Sequence, residues 1–138
     1  MAKMVLTNVQ VMLNSVNLSA WVDNVALEES YADVDTTAFG STAKTRMAGL
    51  GDHKVTIEFQ NDWAIAAVDA TVRPLLGSTT TLALTPNATN PGTTGNPTYT
   101  CVVLVNQWKD IDGKIGDLAK SSITWPVSGS ITPTPAGF

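Results

Sequence analysis

Four carboxylates fall within one short stretch, "VALEESYADVDTTAFGS": Glu28, Glu29, Asp33 and Asp35. Carboxylates this dense can serve as a general acid and base, or hold a hard cation. Side chains alternate across a strand, so Glu28 and Glu29 point to opposite faces. Only Glu29, Tyr31, Asp33 and Asp35 share a side, and then only if the strand runs unbroken. An acid and base pair needs contrasting surroundings to separate the two pKa values, and neither an apolar wall nor an opposing cation is apparent in the stretch. A solvated acidic face is therefore the better reading, and no catalytic residue is assigned.

Other chemistry fails on spacing. "DIDGKIGD" has the look of a calcium loop. With Asp110 at its first position, Lys114 would be the fifth ligand, Ile115 would replace the required glycine and Ser121 the closing glutamate. A turn between strands fits it better. His53 is the sole histidine and Cys101 the sole cysteine. A zinc site or a serine triad would therefore rest on one imidazole, with no nucleophile elbow near any serine. "GLG" at Gly49–Gly51 lacks both the strand-to-helix setting and the lysine of a phosphate loop. No metal site, cofactor or enzymatic activity is expected, and Trp21, Trp63, Trp108 and Trp125 read as core or interface anchors.

The elements that would position these residues are mostly strands. Of 138 residues, 43% are hydrophobic and only 14% charged; Thr, Ser, Asn and Gly fill the deficit, which suits strands and turns better than exposed helices. The length fits one domain over 1–138. A formal net charge of −4 with scattered basic residues argues against binding a phosphate backbone. One cysteine forms no internal disulfide, so a reducing cytoplasm is the simpler setting. The opening "MAKMVLTNVQVMLN" has no continuous apolar run, so a soluble product with neither leader nor membrane span is expected. The sequons at Asn17 and Asn87 are then chance matches.

Along the chain, the two-residue period of Val5, Thr7, Val9, Val11 and Leu13 predicts a strand over Met4 to Leu13, followed by a turn at Asn14 and Ser15. Leu18, Trp21 and Val22 anchor the next connection. "VALEESYADVDTTAF" predicts two strands that turn near Tyr31 to Asp33. "GSTAKTRMAGLGD" predicts a long flexible loop, Gly40 to Asp52. "HKVTIEFQND" is a strand with Val55, Ile57 and Phe59 inward. Asp62 is placed as N-cap of one helix carrying Ile65, Val68 and Val72, ended by Pro74 and Gly77. "TTTLALTP", "TYTCVVLVNQW" and "LAKSSITWPVSG" are strands. The prolines of the tail Ser130 to Phe138 predict an extended segment outside any central strand.

In order and spacing, "VNLSAWVDNVALEES", "DVDTTAFGS", "RMAGLGDHKVTIEF", "DWAIAAVDATVRPLLGSTTTLAL", "NPTYTCVVLV" and "DGKIGDLAKSSITWPVSGSIT" together resemble the major tail, or tail tube, proteins of long-tailed, non-contractile bacteriophages, particularly small versions from phages of actinobacteria. The resemblance implies a mainly β fold, a β-sandwich or split β-barrel with one flanking α-helix. It implies homo-oligomerisation as hexameric rings stacked into a hollow tube, whose lumen DNA crosses without specific binding. Tape measure, tail tip and terminator proteins would be partners, and the protein would reside in the virion tail after assembly in the bacterial host cytoplasm. By position, the loop Gly40 to Asp52 resembles the segment reaching the neighbouring ring, with Lys44, Arg46, Met47 and Leu50 as contacts. The first strand and the C-terminal tail are further subunit contacts. Glu28, Glu29, Asp33 and Asp35 are candidates to line the lumen. A minor tail protein, a terminator or a capsid decoration protein of the same fold is an alternative, as is a carbohydrate- or protein-binding β-sandwich.

Overall fold

The computed structural model describes residues 3–136. Its strands are β1 (Gln10–Leu13), β2 (Val16–Asn17), β3 (Val22–Glu28), β4 (Tyr31–Asp35), β5 (Arg46–Gly51), β6 (Lys54–Gln60), β7 (Thr79–Thr85), β8 (Thr98–Leu104) and β9 (Lys120–Thr134), with one helix, α1 (Val68–Val72), between β6 and β7. Seven strands form one sheet in the order β2-β1-β7-β8-β9-β6-β3, and β4 pairs with β5 alone. The fold is mainly β, a sheet curled into a half-barrel with one short helix.

The curl is centred on β9. Its first half pairs antiparallel with β6, from Gln60 opposite Lys120 to Lys54 opposite Pro126. Its second half pairs with β8, from Val103 opposite Val127 to Thr98 opposite Thr134. The register shifts between Thr100 and Val102, and nearby Gly129 has φ +89, a left-handed conformation that glycine adopts without strain. One strand thus bends from one half of the sheet to the other.

Alternation makes the concave face dry. Val55, Ile57 and Phe59 of β6, Ile123 and Trp125 of β9, Leu82 and Leu84 of β7, and Val11 and Leu13 of β1 are buried together, with Val68 and Val72 of α1 closing over them. Phe59 meets Trp108 edge-on at 5.3 Å between ring centroids and Trp125 at 6.0 Å. Each aliphatic side chain buried this way contributes about 1.5–3 kcal/mol relative to exposure.

Several boundaries differ from the sequence expectation. The first strand covers only Gln10–Leu13, because its partner β7 ends at Thr85, opposite Gln10, and Pro86 follows; Val5 and Leu6 stay exposed. The helix starts at Val68 rather than after Asp62. Asp62 instead accepts the Ala64 N–H at 3.0 Å in a tight turn, and Ala66 at φ +64 interrupts helical continuity. Ile65 is therefore exposed. A 3-10 turn over Arg73–Leu75 contains Pro74. The segment after Ser130 belongs to β9 as far as Thr134; Gly137 and Phe138 of the expected tail lie outside the described residues.

Candidate assembly surfaces

The expected hairpin turn near Tyr31 to Asp33 is absent. β3 and β4 succeed one another along one arm, broken at Glu29 and Ser30, and β6 and β5 form the other arm. The expected loop Gly40 to Asp52 is therefore half strand: Arg46–Gly51 is β5, and the connecting turn lies between Asp35 and Arg46. The result is a two-stranded ribbon whose residues are exposed or half-buried, extending from the end of the half-barrel.

A compact joint holds the ribbon to the body. The Ser30 hydroxyl donates to the Asp52 carbonyl at 2.7 Å, and the Asp52 N–H donates to the Ser30 carbonyl at 2.8 Å. The Ser30 N–H donates to Nδ1 of buried His53 at 3.3 Å, and Tyr31 meets the imidazole edge-on at 5.3 Å. The His53 carbonyl accepts the Val127 N–H at 2.9 Å, tying the joint to β9. A Cβ on Gly51 would lie 2.9 Å from His53 Nε2, so this packing requires glycine. The sole histidine is a joint residue.

At the far end, the Thr36 N–H donates to the Thr45 carbonyl at 2.9 Å, and the Thr45 N–H donates to the Thr37 hydroxyl at 2.9 Å. Asp35 Oδ1 accepts the Thr37 N–H at 2.9 Å; hydrogen bonds from the Thr37 side chain and backbone hold the Asp35 carboxyl below its ordinary range.

The sequence-predicted residues separate along this ribbon. Arg46 Nε lies 3.1 Å from Asp33, and Lys54 Nζ lies 3.4 Å from Glu28. The opposing cations that the stretch itself lacks thus arrive across the ladder from β5 and β6. Glu29 falls at the strand break, so the shared face with Tyr31, Asp33 and Asp35 does not form. Its carboxylate adds to the effect of burial in pushing the Cys101 thiol up to about 11. Lys44 lies in the exposed tip, and Met47 and Leu50 are 59% and 89% exposed. Sequence reasoning missed Val34 and Phe39, also exposed on the ribbon and its tip. The alternation of "YADVD", which puts Val34 opposite its acidic neighbours, was the available signal.

The convex face of β3, β6 and β9 is wet and carries both signs of charge. Lys120 Nζ bonds Asp23 of β3 at 2.9 Å and Glu58 of β6 at 3.4 Å, and these two carboxylates, Asp23 foremost, raise its pKa. β3 ends the sheet, and its outer edge has no strand partner among the described residues. Beside it lies a cleft of about 770 Å³, bordered by Leu6–Val9 on one side and Trp21–Val25 on the other.

The pole opposite the ribbon is built on a buried polar cluster. Asp69 accepts bonds from Asn61 Nδ2 at 2.9 Å, Trp108 Nε1 at 3.1 Å and the Asp62 N–H at 2.8 Å; the Ser121 hydroxyl donates to Asn61 Oδ1 at 3.0 Å. From this base two loops project, one with exposed Trp63 and Ile65 and the other with exposed Ile111, Ile115 and Leu118. Of the four tryptophans, Trp108 and Trp125 are buried, Trp21 packs half-buried against the core with its Nε1 donating to Asp62 at 2.9 Å, and Trp63 is 58% exposed. Among the described residues no group of three or more His, Cys, Asp or Glu side chains converges to hold a metal ion, and no helix is long and apolar enough to cross a membrane.

No protein-family model matches the chain, and no curated protein matches it. Solved structures do. The fold is similar to that of a chain in the virion of a native gene transfer agent particle, with a TM-score of 0.71 at 13% identity over 92% of this chain and 95% of that one. It is also similar to a chain in the tail of an empty gene transfer agent particle of C6 symmetry, with a TM-score of 0.60 at 12% identity over 81% of each. A chain of the six-fold symmetrised baseplate of an anti-feeding prophage matches with a TM-score of 0.56 at 12% identity over 96% of this chain and 97% of that one. These neighbours share the half-barrel fold and come from phage-like particles, and none of the three is from a phage of actinobacteria.

Proposed function

We propose that the chain is a non-enzymatic structural subunit of a phage-like tail, which assembles as stacked hexameric rings into a hollow tube that conducts DNA. The observation that carries this reading is the match, over nearly the full length of both chains, to a chain of a gene transfer agent virion. A sheet left open at β3 supports it, because an unpaired edge is a template for a strand of another copy and closed rings remove such edges. A second reading, a baseplate component of the same fold, is favoured by the match to the anti-feeding prophage baseplate.

In the tube, the ribbon residues Lys44, Arg46, Met47 and Leu50 reach the adjacent ring. Of the lumen-lining candidates Glu28, Glu29, Asp33 and Asp35, those on the strand face turned inward repel phosphate within a Debye length of about 8 Å. Arg46 and Lys54 offset Asp33 and Glu28, so whichever of Glu29 and Asp35 turns inward provides most of the repulsion. Negative-stain electron microscopy of the purified chain tests the function. Hollow tubes or stacked six-fold rings are expected; a globular monomer that persists at high concentration and in the presence of tail-tip components would defeat it.

A further inference from the structure

The hairpin of β1 and β2 opens into a fork. Met12 pairs with Asn17 and Leu13 with Val16 across a tight turn in which Asn14 and Ser15 take φ 50 and 65. The arms stay together one step further: the Leu18 N–H donates to the Val11 carbonyl at 2.9 Å, and the Val11 N–H donates to the Ser19 hydroxyl at 2.9 Å. Pairing then stops at the 3-10 turn Ser19–Trp21. Beyond it the second arm becomes β3 and the first becomes residues 4–9, with the cleft of about 770 Å³ between them.

Both walls of this cleft lack a strand partner on the side they turn to each other. The outer edge of β3 is unpaired among the described residues, and Val5, Thr7 and Val9 keep the period of a strand although Val5 and Leu6 are exposed. In an extended segment the N–H and C=O groups of successive residues point to opposite edges. Val11 turns its groups to the second arm, while Asn8 accepts the Ala88 N–H at 2.8 Å from the chain that follows β7. The groups of Val9, Thr7 and Val5 therefore point across the cleft at β3. The direction of the chain also fits. Five antiparallel pairings lead from β1 through β7, β8, β9 and β6 to β3, and an odd number of reversals leaves β3 antiparallel to β1. Beneath the cleft, Leu6 and Val9 already border an apolar hollow of about 120 Å³ with Val25 and Leu27 of β3 and Tyr99 of β8.

We propose that residues 4–9 form a strap that zips antiparallel onto the outer edge of β3, extending the hairpin past its fork and closing the half-barrel on itself. The Asn8 bond to Ala88 lies on the opposite edge of the strap, so closing breaks nothing. A strap this short has low local stability and opens without unfolding the body. Its regulatory consequence rests on the proposed function: a covered edge offers no template to a second copy, so assembly waits for the strap to open.

Hydrogen exchange by NMR on the full chain, held dilute enough to stay monomeric, tests the strap at the β3 amides that do not bond β6. In wild type these should be protected about tenfold or more over an unstructured chain, and Val5→Pro with Thr7→Pro, which removes two of the N–H groups aimed at β3, should abolish that protection. Both replaced side chains are exposed, so the amides of Val55, Ile57 and Phe59 in β6 should keep their protection. With the competent state no longer a minority, the variant should also begin to assemble at a concentration about tenfold below wild type. Outer-edge amides that exchange in wild type as in an unstructured chain would overturn the strap, as would protection that survives both prolines. Loss of protection without earlier assembly would overturn its control of assembly. Protection that the prolines remove, in a protein that never forms tubes, would support the strap and sink the tube.

Discussion

β5 and β6 are adjacent strands of one continuous arm, yet they meet opposite fates. In β6, Val55, Ile57 and Phe59 are fully buried in the core with Val68 and Val72 of α1; in β5, Met47 and Leu50 remain 59% and 89% exposed. Both are strands with a paired neighbour. What separates them is their surroundings: β6 lies between β9 and β3 and packs into the core, whereas β5 pairs with β4 in a two-stranded sheet. An isolated two-stranded hairpin is marginal in water, so the ribbon's order depends on its joint at Ser30, Asp52 and His53, and its apolar groups Val34, Met47 and Leu50 stay exposed. The half-barrel holds the buried core, and the ribbon holds exposed apolar side chains.

Substitution in the half-barrel should give the largest losses. Trp125→Ala empties a fully buried site against Phe59 and removes the indole N–H bond to the Gln107 carbonyl. A loss of about 3–5 kcal/mol is expected in denaturant unfolding. A change below 1 kcal/mol would mean that β9 does not anchor the core. Asp69→Ala should follow. It strands the Trp108 indole N–H, the Asp62 N–H and one of the Asn61 amide hydrogens, and should lower stability by about 2–3 kcal/mol and loosen the Trp63 loop. Trp fluorescence alongside the unfolding curve reads both effects.

The contrast between body and ribbon also governs what the sequence could reveal. β6 was legible because three buried residues alternate without interruption. β5 was hidden because Gly49 and Gly51 break the alternation and a bulge shifts its register against β4. Those glycines are needed locally: a Cβ on Gly49 would come within 3.0 Å of the Ala32 Cβ, as one on Gly51 would crowd His53. The C-terminal half of β9 was hidden by Pro133. It can sit there because β6 pairs with β9 only as far as Pro126, leaving one edge of the later residues outside the β6 ladder. Asp62 gave a false helix start because an N-cap and a tight turn use the same carboxylate acceptor. The four carboxylates were visible, but their cations were not, since Lys54 and Arg46 arrive through pairing distant in sequence.

Ribbon substitutions should reverse the pattern seen in the core. Phe39→Ser with Leu50→Ser alters only exposed side chains, so monomer stability should stay within about 0.5 kcal/mol of wild type. Assembly, followed by sedimentation velocity and electron microscopy, should be lost. A variant that assembles normally, or one that unfolds like Trp125→Ala, would erase the distinction between the two regions. Deleting Lys44 to Leu50 is the harsher version: a folded half-barrel without tube growth is expected, and normal tubes would show that the ribbon makes no essential contact.

The smallest effect is the one confined to the ribbon tip. The Asp35 carboxyl is held below its ordinary value of about 3.9 by the Thr37 hydrogen bonds, so the charged form is favoured in the folded turn. A depressed folded-state pKa means the turn's contribution is fully present above the unfolded value and is lost as pH falls through the lowered one. Acidification from pH 5 to pH 2 should therefore shift and deprotect the Thr37 amide in NMR. Asp35→Asn, whose side-chain carbonyl can still accept that N–H, should flatten the profile. The Thr36 N–H bond to the Thr45 carbonyl involves no titrating group, so the ladder beneath the tip should keep its protection until general acid unfolding. If the Thr37 amide and the core amides of β6 respond at the same pH, the tip is not an independently titrating turn, and ribbon and body move as one.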